Sequence, residues 1–155
     1  MKGQGATEYL VLLAVVLIIA LVSVSLLGFF PGLASDAKIT QSTTYWSGEA
    51  RPLAILDSTF TTNGTGEVVI LNNDASTTIT ANSVSLTAVN SNKTGTSYDT
   101  PHILASGDQY VFHINNAQGG AAGSTYEFTV TFNYTTQDGL QNTEFGTKTL
   151  MGKYH

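Results

Sequence analysis

Two charged residues frame the start of this chain, Lys2 and Glu8, and no further formal charge appears until Asp36. Between them and Asp36 runs an almost wholly apolar stretch, residues 9–30. A carboxylate at the edge of such a stretch is expensive once water is removed. The cost is about 2.5–3.5 kcal/mol at the centre of a bilayer and less near its surface. A cation brought against Glu8 would offset it, so Glu8 is the side chain whose position calls for a partner.

The remaining reactive groups are sparse. His102 and His113, with Asp99 or Asp108, are the candidate metal ligands, but their spacing matches neither a helix-borne nor a zinc-type motif. His113 falls on the Val111 face of its segment, opposite Phe112, as a surface or edge residue would. Ser106-Gly107-Asp108 precedes a strand and reads as a turn. There is no G-x-S-x-G, no phosphate-binding loop and no paired carboxylates in a catalytic setting. An enzyme is therefore not expected, nor a metal, nor a cofactor. Three N-x-[ST] sequons, at Asn63, Asn92 and Asn133, offer side-chain amides for N-linked glycosylation of an exported protein.

These residues must be held by the elements around them. The 22 residues of 9–30 would span about 33 Å as a helix at ~1.5 Å per residue, enough to cross a hydrocarbon core of ~30 Å. Ser23 and Ser25 interrupt the run, and their hydroxyls can bond back to carbonyls of the preceding turn. With no polar stripe, such a helix must be surrounded by lipid or by other helices. Gly28 and the Pro31-Gly32 pair are expected to bend or end it. Residues 34–45 are polar but lack Gly and Pro, so helix can resume or continue there as a solvated or subunit-packed extension. Ser47-Gly48 and Pro52 then close it.

Three processing schemes fit the apolar run. It can be a secretory signal removed after Gly32-Leu33-Ala34, although it is longer than the usual ~7–15 residues and carries a carboxylate at its front. It can be a plain anchor with Lys2 kept inside. Or a short leader can be cut before the run, leaving the helix on the mature chain.

Beyond Pro52 the hydropathy switches to period two. Residues 125–135 put Tyr126, Phe128, Val130, Phe132 and Tyr134 on one face and Thr, Glu and Asn on the other. Residues 109–115 put Tyr110, Phe112 and Ile114 inward. Residues 53–60 form another strand, and 67–72 are apolar on both faces, as in a central or intersubunit strand. Residues 77–89 change phase at Asn82-Ser83, which predicts a bulge or turn. Asp138-Gly139 signals a hairpin, with a loop longer than two residues, into a strand over 142–151. Asn63-Gly64, Gly119-Gly120 and Gly123 mark turns. The fold class expected is α+β: a long hydrophobic N-terminal helix over 4–46, then an all-β immunoglobulin-like sandwich over 47–155.

Composition narrows the functional classes. Eleven acidic residues against six basic ones leave no cationic cluster for nucleic acid, and 23 threonines make a hydroxyl-rich surface. There is no Cys, so no disulfide staples the head.

The segment Lys2-Gly3-Gln4-Gly5-Ala6-Thr7-Glu8-Tyr9-Leu10 resembles the class III signal peptide of archaeal type IV pilins. The family's Q-x-[S/A]-x-E-[YF]-x-x-L pattern is met by Gln4, Ala6, Glu8, Tyr9 and Leu12, with Ala6 where Ser is common. The resemblance covers some thirty residues. It implies a leader of residues 1–3, cut between Gly3 and Gln4 by a membrane-embedded prepilin peptidase. It also implies that Glu8 meets a neighbouring subunit's new α-amino group during assembly, a cation that would be lost if Gln4 cyclised. The implied product is a homopolymeric helical filament for adhesion. An assembly ATPase and a membrane platform protein would extract its subunits from the cell membrane to the exterior. Two other readings remain open. One is a membrane-tethered extracellular binding module using loops 98–106 or 118–124. The other is a minor pilin that does not form the bulk of the filament.

Overall fold

The computed structural model describes residues 4–155, with the side chains of all but 4 and 29–31. The chain divides into two compact units, with the division after Ala37.

The first element, α1, runs from Gln4 to Thr44 over 41 residues, the larger part of it in the first unit. It is continuous through Gly28 and Pro31, so those residues do not end the helix. A proline removes only its own N–H from the ladder, and apolar surroundings that offer the backbone no water keep the rest of the ladder formed. Ser23 and Ser25 donate to the carbonyls of Ile19 and Leu21, at 2.8 and 2.9 Å, as their spacing predicts.

The second unit starts at Lys38, within the last turns of α1. After Thr44 the helix widens into a π-helical turn, Tyr45–Glu49, closed by the Ala50 N–H donating to Tyr45 O at 3.0 Å. Ala50 is extended, and the chain enters the sheet.

Nine antiparallel strands follow: β1 (Leu53–Phe60), β2 (Gly66–Asn72), β3 (Ile79–Ala88), β4 (Thr94–Ser97), β5 (His102–Leu104), β6 (Gln109–Asn115), β7 (Thr125–Thr136), β8 (Gln141–Phe145) and β9 (Leu150–Lys153). They form one hydrogen-bonded, curled sheet in the order β1-β2-β6-β4-β3-β7-β8. The long pair β3 and β7 is its spine. The outer edge of β3 is shared by β4 and β5, and that of β7 by β8 and β9, each short strand covering half of a long one.

Period two accounts for the core. Along β7, Tyr126, Phe128, Val130 and Phe132 are buried and Thr129 and Asn133 are exposed. Phe60 packs edge-on to Tyr126 and tilted against Phe128, at centroid distances of 5.0 and 4.9 Å. Val68 and Ile70 of β2 are buried, whereas Val69 and Leu71 are half-covered, which suits a strand lying between β1 and β6. The pairing of β3 with β7 slips between Ala81 and Ser83, the bulge that the phase change at Asn82-Ser83 foretells.

The sheet also corrects the sequence reading. Residues 142–151 form two strands on different stretches of β7, because Gly146 interrupts them. A Cβ at Gly146 would stand 2.3 Å from the ring of Trp46, so the break is where the chain makes way for that indole. Trp46 is fully buried and meets Phe132 edge-on at 6.1 Å. The strands β4 and β5 are additional to those expected.

Candidate functional site

Along residues 9–27 of α1 the large apolar side chains are exposed on every side, from 43% for Leu13 to 70% for Leu27. The helix is long and apolar enough to cross a membrane. Isolated in water, such a surface would be strongly unfavourable at about 25 cal/mol per Å² of apolar area. The helix is therefore complete only with lipid or other helices around it.

Glu8 opens the second turn of α1 and is exposed. Val11 and Leu12 lie three and four residues on, which places them on the same face, and with Thr7 they line an open apolar hollow beside the carboxylate. Among the described residues Glu8 forms no ion pair. Of the implied cleavage pair, Gly3 lies outside the described residues and Gln4 is the first helical residue.

The three sequon asparagines are all exposed, in different settings. Asn63 is in the β1–β2 turn, where Gly64 has φ +81° and packs against the backbone of Ala117 so closely that no side chain fits. Asn92 takes a positive φ of 53° in the β3–β4 turn. Asn133 lies on the outer face of β7, and its amide is engaged: it donates to Ser83 Oγ at 2.9 Å and accepts from Thr143 Oγ1 at 2.7 Å.

The candidate metal ligands do not converge. Asp108 caps its own turn, accepting the Ala105 N–H at 3.1 Å, and Gly107 has φ +79°. His102 stacks on Tyr110 with centroids 3.6 Å apart. Asp99 does meet His113, accepting both its backbone N–H at 2.7 Å and its Nδ1 at 2.8 Å. Burial pushes the Asp99 carboxyl up, but those bonds and the His113 charge outweigh it and hold the group below its ordinary range. Glu67 faces the opposite ring nitrogen, Nε2, at 3.6 Å. With the two carboxylates on opposite sides of the imidazole, they cannot share one ion with it. Among the described residues no group of three such side chains could hold a metal.

The register explains why these residues meet. Thr59 of β1 pairs with Glu67 of β2, and Glu67 pairs with His113 of β6. The Tyr98 N–H, just past β4, donates to His113 O at 3.4 Å, and its ring stacks on the imidazole at 5.7 Å. Thr59, Glu67, His113 and Tyr98 thus form one row across the outer face, beside a cleft of about 320 Å³. Sequence spacing gives no hint of it, since the four residues are brought together only by strand pairing.

A second carboxylate lies at the opposite ends of the sheet order. Glu144 of β8 accepts the Leu53 N–H of β1 at 3.1 Å, so a side chain joins the two terminal strands of the curl. Burial pushes its carboxyl up to about 7, against the opposing pull of that N–H.

No protein-family profile matches the chain, and no curated protein is significantly similar to it in sequence.

Proposed function

We propose that this chain is the structural subunit of an archaeal type IV-like pilus, an adhesion filament whose core is built from copies of α1. One observation carries the proposal: a helix apolar and exposed on all sides, with a single carboxylate near its start and a Gly3–Gln4 junction before it. A tether alone needs no carboxylate at that depth. A helix that leaves lipid to pack among its own copies does, because Glu8 can then meet the α-amino group freed on a neighbouring chain.

In this reading the precursor waits in the membrane with residues 38–155 outside. Prepilin peptidase removes residues 1–3, and an ATPase with its membrane platform draws the chain into the filament. Extraction is feasible because each helix exchanges lipid contacts for dispersion contacts with several others. The curled sheet would serve as the outer sheath, packing as an immunoglobulin-like head. Glycans on Asn63, Asn92 or Asn133 would replace part of the solubility that its sparse charge does not supply.

The test is co-expression of the precursor with its peptidase, followed by gel mobility and inspection of sheared filaments. Gly3→Val is expected to remain uncut, and Glu8→Ala to be cut but poorly assembled. The proposal fails if both variants reach the cell surface as wild type does, or if mature protein begins at Ser35.

A further inference from the structure

The outward row Thr59, Glu67, His113 and Tyr98 is built of groups whose combined chemistry differs from the rest of the hydroxyl-rich surface. Neighbouring strands lie about 4.8 Å apart, so four strands spread the row over roughly 14 Å. That is the length of a short oligosaccharide. Tyr98 is 60% exposed, with one ring face on His113 and the other toward solvent. Thr65 and Asn115 line the cleft alongside it.

The hydrogen-bonding pattern at the centre of the row follows from valence. Ionised Asp99 only accepts, so His113 Nδ1 must carry the proton shared with it. The other ring nitrogen, Nε2, is set 3.6 Å from the acceptor oxygen of Glu67. That separation is too long for a direct hydrogen bond, so both atoms keep capacity for a ligand. A hydroxyl both donates and accepts, so two adjacent hydroxyls can meet Glu67 and Nε2 side by side. A flat apolar ring face beside them suits the aliphatic C–H face of the same ligand. Vicinal hydroxyls on one edge and C–H groups on one face together describe a pyranose.

We infer that the row formed by Thr59, Glu67, His113 and Tyr98 is a binding site for neutral oligosaccharides, with Tyr98 as the stacking platform and Glu67 and His113 Nε2 receiving a vicinal diol. A cationic amine is the weaker fit, because Asp99 is already committed to two His113 donors and Glu67 remains as a single free carboxylate. The site is complete within one chain. It extends the polymer reading without depending on it.

The test uses the full chain in a detergent with a non-sugar headgroup, applied to an array of neutral di- to tetrasaccharides of hexoses. Putrescine serves as the cationic probe. Wild type is expected to bind a subset of the sugars and to ignore putrescine. Tyr98→Ala and Glu67→Gln should each weaken that binding by about tenfold with unchanged thermal midpoints. Val89→Ser, an exposed apolar residue outside the row, should bind as wild type does. The inference is overturned if no sugar binds, if Tyr98→Ala binds as tightly as wild type, or if putrescine displaces the bound sugar.

Discussion

The two units of this chain treat apolar surface in opposite ways. The head, from Lys38 onward, turns its large aromatics inward and leaves threonine outside, so that Trp46, Phe60, Phe112, Phe128 and Phe132 are all fully buried. Among the described residues, the N-terminal unit buries none of its apolar run. One half of the protein carries its own solvent-excluding partner, and the other must find it elsewhere. A substitution should therefore show its cost in folding when made in the head and in partitioning or assembly when made in the helix.

The strongest way to break that contrast is Trp46→Ala. Removing the indole empties a site enclosed by Phe132, Tyr45 and Gly146 and should cost the head about 3–5 kcal/mol. Chemical denaturation followed by near-ultraviolet dichroism would read this, with helix content and membrane partitioning unchanged. If partitioning falls with stability, the two units are energetically one.

The converse is Leu17→Asp, in the middle of the exposed run. A carboxylate there should disfavour insertion by about 2.5–3.5 kcal/mol while leaving the denaturation midpoint of the head where it was. Carbonate extraction of membranes checks the first half and denaturation the second.

The smallest effect sharpens the account of the head alone. The carboxyl of Glu144 titrates near 7 when folded, above its ordinary 4.5, because burial disfavours the charge. The folded state therefore holds this proton more tightly than the unfolded one. Its contribution is fully present below about 4.5 and fades as pH rises through 7. The head should lose about 1–2 kcal/mol over that window, a figure reduced for the partial exposure of the group. Glu144→Gln should flatten the profile while keeping an acceptor for the Leu53 N–H. An unchanged slope in that variant would assign the pH dependence elsewhere.

Local periodicity made much of this molecule legible. Gln109–Asn115 follows from alternation, Leu53–Phe60 is a strand as expected although its first residues do not alternate, β7 is found to within one residue at its C-terminal end, and the Asn82 bulge shows as a phase slip. The loop between Thr136 and Gln141 is longer than two residues, as Gln137 and Leu140 around Asp138-Gly139 suggest. Thr94–Ser97 has no apolar alternation to detect, and His102–Leu104 is too short for a period. Strand order, the row through His113 and the tie at Glu144 are products of pairing between distant segments. The indole of Trp46 splitting residues 142–151 is of the same kind. The apolar run and Glu8 are the reverse case, written plainly in the sequence, while the surroundings that complete them lie outside a single chain.

The end of α1 is fastened to the C-terminal strand. Ser42 Oγ donates to Thr149 O at 2.8 Å and accepts the Met151 N–H at 3.0 Å, and Tyr45 Oη accepts the Thr147 N–H at 3.1 Å. Trp46 anchors the next turn in the core. The one hydroxyl of Ser42 thus serves both the end of the helix and β9, the strand that pairs with the first part of β7. A change at Ser42 would therefore be felt more than a hundred residues further along the chain, at the backbone of Thr149 and Met151.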